Sequence, residues 1–396
     1  NQELFENKVS KYKSDLFELR SVKLVADGAL GSNGAALIEQ YQNLETYGIL
    51  ILDKNKLGKE ASWAAAGMLA GRMESEPGEE KLFPLLAKGQ LAWPKFAYEL
   101  ENVSGKNVEY KKDGTIMLAC DFDENNKLKS TLNFFKKNKI NMEWLSGDEI
   151  RIKEPYVSTK VLSGIFSKKD HQVNSRFVLD ALLTVIKKNK DKCFIEENTE
   201  VKEIISNKNH VIGVKTNKKI IKVKKIIVCA GAWTNKIKNI SKEEAPIRPL
   251  KGQMICLKMN KNEPLIKHVL WRNNIYLVPR NNSDLIIGST VEEMGYDRSL
   301  TAGGIFYLLK VAREMVPGIE DLPIIDSWTG LRPTTTDDAP IIGPSKYLKG
   351  LIFATGHHRN GILLAPITSD AIKNYFLSGK IGKEFINFQP DRFLFN

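Results

Sequence analysis

The sequence predicts an α/β nucleotide-binding unit joined to a second, mostly antiparallel sheet. Three observations carry that expectation. Residues 22–53 read as strand, glycine-bearing turn, helix and strand. A further buried strand at 224–229 runs into Ala230-Gly231. Alternating segments separated by turn signals fill the regions between and after them.

Taken in order, Phe5, Val9, Tyr12, Leu16 and Leu19 recur at alternating four- and three-residue spacing. That stripe predicts an extra amphipathic helix over 1–20, docked on the surface or open to a partner. Val22 to Ala26 reads as a short strand, and Gly28, Gly31 and Gly34 open a small-residue helix through Tyr41. Ile49 to Asp53 is a second buried strand ending in an acid. Continuous apolar strands joined through a helix predict parallel pairing. Regions 101–167 and 246–324 change character. Ile275 to Val278 and Leu285 to Ile287 are short apolar segments with Asn281-Asn282 between them, and Lys112-Asp113-Gly114 marks another turn. The expected division is therefore a nucleotide unit from 21–100, 168–245 and 325–380, a substrate unit from 101–167 and 246–324, and a tail at 381–396.

The bulk numbers exclude several classes. A 396-residue chain with 42% apolar and 27% charged residues is of ordinary globular type. The net charge of +12 is spread over lysines mixed with acids, as in 187–192, so no nucleic-acid groove is expected. A basic protein does attract anionic ligands. Cys120, Cys193, Cys229 and Cys256 lie far apart, with no CxxC pair and no metal-ligand spacing. They fit a reducing, cytoplasmic setting. The segment is not expected to cross a bilayer, and its N-terminal residues do not read as a secretion signal.

The chemistry-bearing motifs are few. Ala26, Gly28 and Gly31 stand where a dinucleotide fingerprint has three glycines, and Asp53 stands 22 residues beyond Gly31, where an acid bonds a ribose hydroxyl. Ala26 departs from the pattern, because the first glycine allows the tight turn. Residues 58–68 are dense in small side chains, which let backbone amides approach a flat ring. Two glycine-bounded turns, Trp328–Pro333 and Gly356–Ile362, each hold one arginine. A guanidinium grips a carboxylate through two parallel charged hydrogen bonds.

The 60–69 loop, Tyr276 to Arg280, Gly330 to Pro333 and the 356–366 segment together resemble the glycine oxidases, the thiamine-biosynthesis branch of the D-amino acid oxidase family of FAD enzymes. The resemblance spans roughly residues 21–380. It implies a Rossmann-like FAD-binding domain with an inserted substrate domain. By position, Ala26, Gly28, Gly31, Asp53 and Lys54 would hold the ADP half of FAD. Ala61, Ser62, Ala65, Ala66, Gly67 and Met68 would line the pyrophosphate and flavin. Val201 would meet the adenine through its backbone, and Ala230, Gly231 and Trp233 would form a second cofactor-facing turn. Arg332, helped by Tyr276, would bind the substrate carboxylate. Arg359 would lie beside the flavin, with His358, Asn360, Gly361 and Ile362 meeting the cofactor. Asn274 replaces an expected histidine, which bears on substrate preference.

The resemblance implies oxidation of glycine, sarcosine or small D-amino acids, with O2 reduced to hydrogen peroxide, by a homo-oligomer. Two alternatives stand beside it: a dehydrogenase that passes electrons to a quinone or carrier, and a catalytically silent flavin-binding scaffold.

Overall fold

The structure, a computed structural model, describes residues 35–40 and 47–394, with only the backbone course given for 35–40 and Tyr47. The expected N-terminal helix, the 22–26 strand and the turn with Ala26, Gly28 and Gly31 lie outside the described residues.

A six-stranded sheet runs in the order Ile341–Pro344, Leu351–Thr355, Ile226–Val228, Ala35–Gln40, Tyr47–Leu52, Cys193–Glu196. It is mixed. Ile226–Val228 pairs parallel with Leu351–Thr355, and Tyr47–Leu52 parallel with Cys193–Glu196. Ala35–Gln40 lies between these two pairs and is antiparallel to both neighbours. The strands of these two pairs therefore share one direction, and the edge strand Ile341–Pro344 runs antiparallel to Leu351–Thr355. This corrects the helix expected through Tyr41, because residues 35–40 are strand. They satisfy the facing backbone groups of Tyr47–Leu52 and Ile226–Val228, a requirement that outweighs local helix preference.

Period-two alternation builds layers on both faces of this sheet. Ile51, Ile227 and Ile352 point to a core shared with the helices Phe83–Ser104, Ser175–Lys188 and Gly361–Ser378. Leu50, Leu52, Ile226, Val228, Leu351 and Phe353 point the other way, onto the three-stranded meander Val201–Asn207, His210–Thr216 and Ile220–Lys222.

The second sheet has eight strands: Ile324–Thr334, Arg248–Lys258, Asp284–Gly288, Ile275–Pro279, Val269–Arg272, Thr115–Ala119, Ser163–Ser167 and Glu143–Ser146. Every neighbouring pair is antiparallel except Val269–Arg272 with Thr115–Ala119. Ile324–Thr334 belongs to this sheet as its edge, although the sequence reading grouped residues from 325 onward with the nucleotide unit. One face, with Ile255, Leu257, Leu277 and Ile287, packs on Leu308, Val311 and Met315 of the helix Ala302–Met315. The opposite face, with Met254, Cys256, Val278 and Ile286, meets Ala64, Ala66 and Trp328. The functional cavity opens on that second face.

Trp93 ties the core to this region. It is fully buried in Phe83–Ser104, and its indole N–H donates to the Leu363 carbonyl at 3.0 Å. Trp93→Ala should cost about 3–5 kcal/mol, from a cavity and a stranded carbonyl. A shift of that size in the denaturant midpoint of the protein checks it.

Candidate active site

Strands that share a direction end on the same edge of the six-stranded sheet, the usual ligand side of such folds. Tyr47–Leu52 ends at Asp53, which is buried and accepts from the Asn55 N–H at 2.8 Å. Lys54 lies 3.8 Å from Glu200. Val201 is buried beside Leu50 and Leu52. Ile226–Val228 runs into buried Ala230 and Gly231, where Gly231 takes φ 51° at the start of a 3-10 turn. Trp233 in that turn lies 5.7 Å, ring to ring, from Tyr296. Leu351–Thr355 ends at Gly356, which takes φ 73°.

The small-residue loop follows. Ala61–Ala64 forms one helical turn, and residues 65–68 pass along a cavity of about 460 Å³. Gly67 takes φ 72°, and a Cβ there would lie 2.1 Å from the Val173 carbonyl oxygen, so only glycine fits. Its neighbours are held as well. Ser175 Oγ donates to the Ala65 carbonyl at 2.6 Å, and Trp328 Nε1 donates to the Ala64 carbonyl at 3.0 Å.

Across the cavity, the eight-stranded sheet presents Arg332 and Tyr276. The ladder places Gly252 opposite Gly330, two positions from Arg332 along the edge strand. A Cβ on Gly252 would stand 2.6 Å from Arg332 Nη1, so its absence makes room for the guanidinium. Arg332 donates to the Thr290 carbonyl at 3.3 Å and to the Ser289 hydroxyl. Among the described residues it has no carboxylate within ion-pair distance. The 290–297 segment behind it is pinned by buried Lys251, 3.4 Å from Glu292 and 3.1 Å from Asp297. Burial raises the Tyr276 phenol above its ordinary pKa, and the Arg332 charge partly opposes the rise. Asn274 sits at the rim. Asn273 and Asn274 take φ 49° and 65° and form the two-residue turn between Val269–Arg272 and Ile275–Pro279. Such a turn favours asparagine over bulkier residues.

Arg359 behaves differently from Arg332. It lines the cavity, but its Nη2 lies 2.6 Å from Glu79 and its Nε 3.7 Å from Glu74. His358 is 12% exposed, and burial with three nearby arginines pushes its pKa down to about 3. The ring is neutral, so its 3.6 Å approach to Asp338 is not an ion pair. His357 is buried with Nε2 3.1 Å from Thr368 Oγ1, and it also lines the cavity.

The residues fit the expected cofactor. Gly361–Ser378 starts without a side-chain cap, and Gly361 and Ile362 at that end line the cavity. Uncapped amides there favour negative charge. Nearby, Thr334 Oγ1 and both amide atoms of Asn360 are buried without a partner among the described residues. The cavity gathers Arg332, Tyr276, Arg359, His358, Gly361 and Ile362 with Ala61, Ser62 and 65–68. Asp53, Lys54, Val201, Ala230, Gly231, Trp233 and Asn360 do not line it; apart from Asn360 they belong to the sheet edge. Ser289, Gly252 and Glu74 escaped the sequence reading. Gly252 and Ser289 had no motif around them, and Glu74 stands in an acid-rich stretch that reads as solvated surface.

Comparison with known proteins agrees with this geometry. A family model described as FAD dependent oxidoreductase (DAO) matches residues 31–374. Glycine oxidase of Geobacillus kaustophilus is 31% identical over 81% of this chain and 84% of its own length. The bifunctional protein ThiO/ThiG of Trichormus variabilis is 33% identical over 84% of this chain, which spans 50% of that relative. The crystal structure of the Geobacillus kaustophilus glycine oxidase superposes with a TM-score of 0.80 at 26% identity, covering 93% of this chain and 95% of that one. Among the described residues no helix is long and apolar enough to cross a membrane. The chain belongs to the DAO family of FAD-dependent oxidoreductases.

Proposed function

We propose that this protein oxidises a small amino acid, glycine or a close relative such as sarcosine or D-alanine, with O2 as electron acceptor, and that its product serves thiazole formation in thiamine synthesis. The observation that carries the reading is Arg332: a cavity-lining guanidinium without a carboxylate partner among the described residues, beside a phenol and facing a small-residue cradle. The relatives named glycine oxidase and ThiO/ThiG support the substrate and the thiamine link.

Bound FAD supplies a ring that accepts a hydride from the substrate α-carbon. The chain's part is to place that carbon. Arg332 and Tyr276 hold the carboxylate. Ser289 and the Thr290 carbonyl hold the guanidinium at its back, so little side-chain entropy remains to be lost on binding. The Ala61–Met68 loop and the amides of Gly361 and Ile362 would cradle the isoalloxazine. Asp53, Lys54, Val201, Ala230, Gly231 and Trp233 would serve the rest of FAD along the sheet edge. Ala26, Gly28 and Gly31 are proposed at the pyrophosphate.

The deciding experiment is an anaerobic absorbance spectrum with glycine, sarcosine and D-alanine added in turn. The flavin band should bleach with at least one; a band that persists with all three ends the reading. In air, one peroxide per amine oxidised identifies oxygen as the acceptor. Arg332→Ala should lower kcat/KM by about 10- to 150-fold, the worth of a charged hydrogen-bonded anchor, and leave FAD bound. Tyr276→Phe should lose about fivefold. Gly252→Ala, which adds a Cβ against the guanidinium, should raise KM while the flavin spectrum stays unchanged.

A further inference from the structure

Resting on the amine-oxidase reading, one group in the cavity remains without a task. Glu74 is held from three directions. Its own N–H donates to the Ala70 carbonyl at 3.0 Å. The preceding N–H groups of Arg72 and Met73 donate to buried Asp170 at 3.2 and 2.9 Å. Its carbonyl accepts from Arg359 Nη2 at 3.1 Å. The side chain is 13% exposed and lines the cavity with Arg332 and Tyr276. Among the described residues its carboxylate accepts no hydrogen bond, and its one ion-pair contact is Arg359 Nε at 3.7 Å. That guanidinium lies closer to Glu79, at 2.6 Å.

Hydride can leave the α-carbon only if the substrate nitrogen has a free lone pair. An amino-acid ammonium resembles that of lysine, with a pKa of about 10, so roughly one molecule in 1000 is neutral at pH 7. A base in the cavity removes that limit. The other candidates are poor. Glu76 is exposed, and Glu293 is 61% exposed and paired with Arg248. Asp338 is 43% exposed at the rim. His358 is too weak a base, and Tyr276 stays protonated near neutral pH.

We infer that Glu74 accepts the proton of the substrate ammonium once Arg332 has fixed the carboxylate. One N–H bond breaks and one O–H bond forms; the lone pair stays on nitrogen, and no oxidant or reductant is involved. The proton returns to solvent past exposed Glu76 after the product leaves. The surroundings tune the group to this task. Burial raises its pKa to about 7; Arg359 opposes the rise, and Asp170, Glu76 and Glu79 add to it. The carboxylate is thus basic enough to take a proton and is ionised above neutrality.

The test uses FAD-loaded protein and anaerobic flavin reduction by the best amine from about pH 6 to pH 10. Wild-type kcat/KM should rise through about pH 7. Glu74→Gln should lose about 100-fold at pH 7 and recover toward the ammonium's own pKa. Glu79→Gln, which removes a neighbouring negative charge and an Arg359 partner, should keep the limb and shift it to lower pH. Calorimetry of α-aminoisobutyrate, which has no α-hydrogen, in buffers of different ionisation enthalpy gives a second readout. Near pH 6, where Glu74 starts largely protonated, the wild type should release close to one proton on binding, and Glu74→Gln should release none. Superimposable pH profiles, or equal proton counts, overturn the role of Glu74 alone. A wild-type flavin that no amine bleaches overturns the function and this role together.

Discussion

A cationic side chain held in a cavity without a carboxylate partner sets the terms for this structure. Removing a guanidinium from water is costly unless an opposite charge meets it. Arg332 has only neutral partners at its back, the Ser289 hydroxyl and the Thr290 carbonyl. On the proposed reading, the carboxylate of the ligand is the partner that this charge lacks. Much nearby construction serves that one group. Gly252 withholds a side chain so that the guanidinium fits, and Lys251, at the next position, pins the segment that carries Thr290. Arg359, by contrast, spends its charge on Glu74 and Glu79. Two arginines in similar-looking sequence motifs, one on a strand and one in a 3-10 turn, thus carry different duties.

The cavity balances charge in a consistent way. Its arginines lower the basicity of His358, and burial raises that of Glu74. The ring stays neutral while the carboxylate is poised near neutrality. Both shifts arise from desolvation first, and neighbouring charges then add or oppose.

Much of this was legible from the chain. Period-two segments located the hairpin of Ile275–Pro279 and Asp284–Gly288, and two glycine-bounded motifs marked Arg332 and Arg359, although Trp328–Pro333, expected as a turn, is part of the strand Ile324–Thr334 because it pairs along Arg248–Lys258. The apolar run after Gly361 located the helix whose first amides face the cavity. Residues 35–40 were misread, because sheet pairing is a non-local demand that a small-residue run does not advertise. Gly252, Ser289 and Glu74 were invisible for a related reason. Each matters through a neighbour distant in sequence: Gly252 and Arg332 are eighty positions apart, yet they meet on adjacent strands. Spacing rules see only what lies within one element.

The ladder between Arg248–Lys258 and Ile324–Thr334 carries a further implication for how such a chain can vary. Leu250 stands opposite Arg332, Gly252 opposite Gly330 and Met254 opposite Trp328. Side chains alternate faces along each strand, so a slip of one residue would turn Arg332 away and bring Leu331 in. Single-residue insertions or deletions inside either strand would therefore erase ligand capture while leaving a foldable protein. Within 259–323 only the connecting turns can change length more freely, because Val269–Arg272, Ile275–Pro279 and Asp284–Gly288 belong to the same sheet and carry Tyr276. Evolutionary drift in this chain should accordingly appear as loop-length variation around two strands of invariant phase.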